Sequence, residues 1–248
     1  MQQSQTPAVE LREVCKQFAG TRVLNGASFA VQAGETFALV GINGAGKTTC
    51  IKSILDFTSV DSGDIRIGGI DHRNPKARSP VFFLPERFVP PGFMTGHDYL
   101  RHACRLHGQP YSEETVRTTV DALELGREAL ARPVRTFSKG MAQKLGLAAA
   151  FASGRPLLVL DEPMSGLDPK ARILVKRQLA AERDAGRTVF LTTHMLIDVQ
   201  ALCDRMAVLH DGKAVFEGSP EACAADYGGG DLENAFLNCL EAESAPVR

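Results

Sequence analysis

The stretch GINGAGKTT, residues 41–49, fits the spacing G-x-x-x-x-G-K-[ST] through Gly41, Gly46, Lys47 and Thr48. Glycines so placed let the backbone wrap closely round phosphate oxygens, with Asn43, Gly44 and Ala45 filling the loop and Thr49 continuing it. Lys47 supplies a point charge to the outer phosphates, and the Thr48 hydroxyl is a Mg²⁺ ligand. A second group lies in LLVLDEP, residues 157–163, where four apolar residues lead into Asp161. A carboxylate at that strand edge, beside the phosphate loop, can hold Mg²⁺ through water. Glu162 follows at once, points differently from Asp161, and suits activation of an attacking water. A third stretch, FSKGM at 137–141, puts Ser138 and Gly140 at the mouth of a helix. Free N–H groups and the helix dipole favour an anion there, so one chain offers two phosphate sites.

These residues need particular elements to hold them. FALVG before the loop reads as a strand, and TTCIKSILDF after it has helical spacing, which makes strand, glycine loop, helix. That context argues against a chance glycine loop, and its presence argues against two solvated acids merely capping the strand PLLVLDEP. Upstream, AVELREVCKQF alternates like a strand, and VLNGASFAVQAGETFALVG reads as two strands around the turn QAGE. SGDIRIGGID and VFFLP are further short strands. From about 87 to 153 the character turns helical, with HDYLRHACRLHG, then SEETVRTTVDALEL starting near Ser112, then a third helix after FSKGM. A helix from about Pro169 to Ala185, a strand TVFLTT, a helix HMLIDVQALC and a hairpin RMAVLHDGKAVFEG turning at DG complete the pattern. Strands alternating with helices predict a largely parallel α/β core. DLENAFLNCL reads as a helix in the last segment.

Composition narrows the classes. The 248 residues allow one or two domains at roughly 150 residues each, and 44% hydrophobic content suffices for a core. With 28 basic and 29 acidic residues the net charge is −1, which gives no electrostatic case for a nucleic-acid partner. Six scattered cysteines, Cys15, Cys50, Cys104, Cys203, Cys223 and Cys239, form no C-x-x-C pair and read as reduced thiols. The start, MQQSQTPAVELREV, has no apolar signal core, and no apolar run nears the ~18 residues of a membrane span. The chain is expected to be soluble, with any membrane role exerted through a partner.

With FSKGM, LLVLDEP, SGLD (165–168) and TTH (192–194) in this order after the phosphate loop, the chain resembles the ATP-binding subunit of an ABC transporter. The resemblance runs from Phe18 to the DLENAF tail and rests on five ordered motifs. It implies an α/β fold: a P-loop NTPase core with an N-terminal antiparallel β subdomain and an inserted α-helical subdomain. The implied boundaries are 1–86 and 154–218 for the ATPase core, 87–153 for the helical subdomain and 219–248 for a short helical tail. By resemblance, Phe18 stacks on adenine, Asp161 is the Mg²⁺-linked carboxylate and Glu162 the catalytic base. Asp168 crosses to a partner subunit, and His194 senses the γ-phosphate. The bland alternative for Phe18 is a core phenylalanine.

FSKGM is similar to the family's LSGGQ signature, with Ser138 and Gly140 retained and Phe137, Lys139 and Met141 substituted. In that family this helix start closes over ATP held by the opposite subunit, which accounts for two phosphate sites in one chain. It implies a head-to-tail dimer with a second copy, or a similar ATPase subunit, and MgATP shared between them. Lys139 either adds positive charge near that phosphate or is simply solvated. Where the family puts a glutamine, LPER has Glu86, a residue able to reach Mg²⁺ or the attacking water. The LPE spelling, the K-G-M signature and the short tail look like bacterial exporter subunits more than sugar or amino-acid importers. The expected setting is cytoplasmic, on the inner face of the membrane, bound to a permease. The rival reading is a soluble ABC ATPase acting on ribosomes or DNA, against which stand a single cassette and the lack of long coiled coils or zinc modules. A regulatory module without turnover is disfavoured by Glu162 and His194.

The stretch RFVPPGFMTG, 87–96, crowds Phe88, Val89, Phe93 and Met94 around Pro90, Pro91 and Gly92. Proline and glycine exclude regular periodic burial there. The side chains therefore either fold back on the helical subdomain or form an exposed apolar patch. In the resembled family the groove for the permease's cytoplasmic helix lies beside this segment.

Overall fold

The computed structural model describes residues 6–228 and 230–244. Residues 1–5, part of the start read as lacking a signal core, and residues 229 and 245–248 of the expected tail lie outside them.

Two sheets are present among the described residues. The first runs β2 (Thr21–Val31), β1 (Val9–Phe18), β4 (Ser62–Ile67), β5 (Ile70–Asp71), all antiparallel. The second has the order β10 (Lys213–Gly218), β9 (Arg205–His210), β3 (Thr36–Val40), β8 (Thr188–Thr193), β7 (Leu157–Asp161), β6 (Val81–Leu84). Only β10 is antiparallel to its neighbour in that sheet. Every residue of β3, β7 and β8 is buried, as expected for parallel strands covered on both faces.

The two-residue alternation of side chains sorts this sheet into two cores. Phe37, Leu39, Leu157, Val159 and Phe190 face α1 (Lys47–Ile54) and the antiparallel sheet. Ala38, Val40, Leu158, Leu160 and Leu191 face the remaining helices. Phe29 of β2 stacks on Phe37 at 5.7 Å and tilts against Phe190 at 6.0 Å, fastening the sheets together. Aromatic pairs of this kind add about 1 kcal/mol each beyond their burial.

The turn at 32–35 forms as expected, but β2 and β3 do not pair with each other. They enter different sheets. The all-buried strand β3 gains more between β8 and β9 than in a hairpin with one face toward water. The expected hairpin at Asp211-Gly212 does form, with both residues at positive φ, as its tight turn demands.

The helical region contains α2 (Gly96–Leu106), α3 (Glu113–Ala122), a one-turn α4 (Arg127–Leu130) and α5 (Lys139–Ala152). A Thr95–Asp98 capping box starts α2, and Ser112 caps α3 as the sequence suggests. Leu100, Val116, Val120 and Leu145 join the core on the sheet face carrying Leu158 and Leu160, so this region shares its interior with the central sheet. After β7 come α6 (Pro169–Asp184) and α7 (Leu196–Leu202). The C-terminal segment holds two helices, α8 (Pro220–Tyr227) and α9 (Leu232–Ser244), where one was anticipated. The Ser219-Pro220 start of α8 is a readable cap signal.

Candidate functional site

Topology gathers the chemistry. β3, β8 and β7 are neighbours, with Val40 paired to Thr193 and Asp161 paired to Thr192. Their C-terminal ends deliver the 41–46 loop, Thr192 to His194, and Asp161-Glu162 to one edge of the sheet, where ligands of open α/β sheets bind.

The loop requires its glycines. A Cβ on Gly41 would lie 2.6 Å from the Leu209 carbonyl oxygen. Gly46, at φ 107°, starts α1 without a side-chain cap, and a Cβ there would lie 2.9 Å from the Val23 carbonyl oxygen. The uncapped first-turn N–H groups of α1 are the donors an anion needs. Lys47 donates from Nζ to the Gly41 carbonyl at 2.7 Å and to that of Ile42 at 3.3 Å, holding the loop closed on itself. Burial draws the Lys47 pKa below the usual lysine value, and the carboxylates of Glu162, Asp161 and Glu86 oppose that shift.

Asp161 is 2% exposed. The Thr48 hydroxyl donates to its Oδ2 at 3.1 Å and the Thr192 hydroxyl to its Oδ1 at 2.6 Å. The same Thr192 oxygen accepts from the Glu162 backbone N–H at 3.0 Å. Glu162 sits at φ 47°, a left-handed conformation that costs a non-glycine residue about 1 kcal/mol or more and turns its side chain off the strand line. His194 Nδ1 stands 2.9 Å from Glu162 Oε1, a spacing at which the imidazole N–H donates to the carboxylate. A cleft of about 330 Å³ is lined by Asn43, Gly44, Gly46, Lys47, Thr48, Thr49, Glu86, Asp161, Glu162, His194 and Val23. Val23 and the anchoring role of Thr192 were not anticipated. A single valine carries no chemical signal, and Thr192 was read only as part of TTH.

The cleft's oxygen donors, Thr48, Asp161 and Glu86, suit Mg²⁺. No group of three or more His, Cys, Asp or Glu able to cage a metal occurs among the described residues. Mg²⁺ characteristically keeps several waters and takes further oxygens from phosphates.

Other anticipated residues lie elsewhere. Phe18 is 45% exposed at the end of β1, with the Lys16 ammonium 5.2 Å from its ring centroid, and does not line the cleft. Ser138, Gly140 and Asp168 line a separate depression of about 400 Å³. Ser138 caps α5, accepting from Met141 N–H at 3.2 Å, which leaves its own O–H free to donate. Asp168 caps α6, accepting from Ala171 N–H at 2.8 Å. Lys139 is exposed, its stem folds over Gly166 and its ammonium reaches Ser165 Oγ at 3.4 Å, and it lines the same depression as Ser138 and Gly140. In the 87–96 segment, Val89 and Phe93 are 74% and 79% exposed. Phe88 packs edge-on against Tyr99, and Met94 is half-buried, its carbonyl accepting from Val134 N–H at 2.8 Å.

A profile described as "ABC transporter" matches residues 24–165. The chain is 37% identical over 219 residues to the Nod factor export ATP-binding protein I of Burkholderia lata, covering 86% of this chain and 71% of that one. It is 36% identical over 233 residues to the protein of the same name from a Rhizobium species, covering 92% and 76%. A solved structure of the ATP-binding subunit of an ABC transporter superposes with a TM-score of 0.85 at 29% identity, covering 94% of this chain and 99% of that one. Sequence, fold and the phosphate loop's setting therefore agree: the chain belongs to the ABC transporter family, as an ATP-binding subunit with ATPase activity.

Proposed function

We propose that this subunit hydrolyses MgATP at two sites shared across a head-to-tail dimer, and that the dimer drives export through a separate membrane permease. The observation that carries the reading is the separation of two half-sites. Lys47, Asp161, Glu162 and His194 line one cleft, while Ser138, Gly140 and Asp168 line another. A chain that holds both halves apart completes each only with a second copy.

In this reading the loop amides and Lys47 bind the β- and γ-phosphates. Thr48, Asp161 and Glu86 would hold Mg²⁺, which would supply positive charge against the charge on the transferring group. Glu162 takes the proton of a water whose oxygen attacks the γ-phosphorus, while the bond to the bridging oxygen breaks and ADP leaves with the electron pair. His194 orients Glu162 and meets the γ-phosphate. The partner's Ser138 hydroxyl and the amides near Gly140 close over that phosphate, and Asp168 meets the partner. Phe18 offers its exposed ring to adenine.

The boundaries proposed are 1–86 and 154–218 for the ATPase core, 87–153 for the helical subdomain and 219–248 for the tail. Among the described residues no helix is long and apolar enough to cross a membrane. Attachment to the inner face of the membrane therefore falls to the permease. A groove of about 400 Å³ lined by Glu86, Phe88, Val89, Ala142 and Gln143, with Phe93 exposed on the same segment, supports docking there. The relatives named for Nod factor export support the outward direction.

The test is Glu162→Gln. With MgATP it is expected to bind nucleotide, lose turnover and run as a dimer on size exclusion. Normal turnover in a monomer would refute both the base and the shared site.

A further inference from the structure

The helix that follows His194 is fastened to the helix that follows Asp168 by one buried carboxylate. Asp198, in the first turn of α7, has a side chain 3% exposed. Taking a carboxylate out of water costs several kcal/mol unless cations and hydrogen bonds compensate. Both compensating groups come from α6. Arg172 pairs with Asp198 Oδ2, and Lys176 Nζ lies 3.2 Å from Oδ1. Arg172 and Lys176 are four residues apart, so they share one helix face. Their own side chains remain 25% and 26% exposed, which leaves Asp198 as the buried pivot.

The position of this pivot matters more than its strength. α7 is seven residues long and starts at Leu196 without a side-chain cap. His194 stands on the short link between β8 and α7, so its reach toward Glu162 follows the placement of α7. On the other side, α6 begins at the Asp168 cap, and Arg172 N–H donates to the Asp168 carbonyl at 3.0 Å. A cavity of about 170 Å³ lies between the two pairs, lined by Glu162, His194, Arg172 and Asp198. That space borders the imidazole on one side and the clamp on the other.

We propose that Asp198 is a positioning residue: held by Arg172 and Lys176, it sets the stance of His194 against Glu162 and links that stance to the Asp168 end of α6. This rests on the roles proposed above for Glu162 and His194. It adds a route by which a partner subunit touching Asp168 reaches the hydrolytic pair in the same chain.

The test uses the full chain with MgATP. Asp198→Asn keeps the volume and removes the charge. Its kcat is expected to fall roughly tenfold, a typical coupling within one ion-pair network, with the KM for ATP unchanged. Asp198→Glu is expected to recover most of the rate. In a His194→Ala background, Asp198→Asn is expected to add no further loss, because its effect passes through that imidazole. An unchanged kcat, or an equal loss with and without His194, overturns the proposal and makes the cluster a scaffold contact only. Should Asp198→Asn not fold, Arg172→Lys carries the same comparison, since it keeps the charge and loses the fork. Glu162→Gln is measured alongside. Turnover there refutes the hydrolytic reading itself, whereas its loss beside a normal Asp198→Asn refutes this inference alone.

Discussion

Replacing Thr192 with valine would remove one hydroxyl and little volume. That hydroxyl is fully buried, donates to Asp161 Oδ1 at 2.6 Å and accepts from Glu162 N–H at 3.0 Å. A hydrogen bond to a charged group contributes about 1.5–3 kcal/mol, and a buried N–H left without a partner costs about 1–3 kcal/mol. Thr192→Val is therefore expected to destabilise the fold by about 4 kcal/mol. For a chain of this size that lowers Tm by roughly 10 °C. The substitution also frees Glu162 from its backbone anchor and leaves Thr48 as the remaining hydroxyl on Asp161. Turnover should fall while the phosphate loop, untouched, still binds nucleotide. Thermal unfolding, ATPase rate and equilibrium ATP binding read the three effects separately. A Tm within 1–2 °C of the parent, or an unchanged kcat, would refute the claim that this hydroxyl holds the two acids in place; that small a shift corresponds to less than about 1 kcal/mol.

Two further perturbations probe the cleft and the surface. Glu86→Ala is expected to slow kcat by roughly tenfold, the equivalent of one hydrogen bond to the transition state, with ATP affinity nearly intact; equal rates would reduce Glu86 to a strand terminus. Phe93→Asp, at a side chain 79% exposed, is expected to leave Tm and the isolated subunit's ATPase unchanged while abolishing co-purification with the permease; a complex that survives would move the docking surface elsewhere.

The parts legible in the sequence are those whose chemistry dictates residue type at short range. The phosphate loop admits only glycine where a Cβ would strike Leu209 or Val23 carbonyls. The Asp211-Gly212 hairpin reads from its turn, and Asp161 from its position after four buried apolar residues. What escaped depends on distant partners. Whether β2 pairs with β3 is decided by β8 and β9, which lie far along the chain. The sequence leaves Lys139 either solvated or phosphate-directed; that its stem lies on the bare backbone of Gly166, 27 residues on, could not be read locally. Phe88 was grouped with Val89 and Phe93 by sequence crowding alone, but its ring packs against Tyr99. Helix α8 is a different case, since its Ser219-Pro220 start was visible and simply not read.

The central claim is that each ATP is served by one subunit's phosphate loop and the other's Ser138. The direct measurement mixes two subunits that are inactive alone, Lys47→Ala and Ser138→Arg, and follows phosphate release. In a head-to-tail dimer a mixed pair rebuilds one intact site, from the Lys47 of one chain and the Ser138 of the other. An equal mixture is then expected to recover about one quarter of the parental rate, since half the dimers are mixed and each carries one good site. No recovery, in a mixture shown to contain mixed dimers, would mean that each chain completes its own site and would contradict the account.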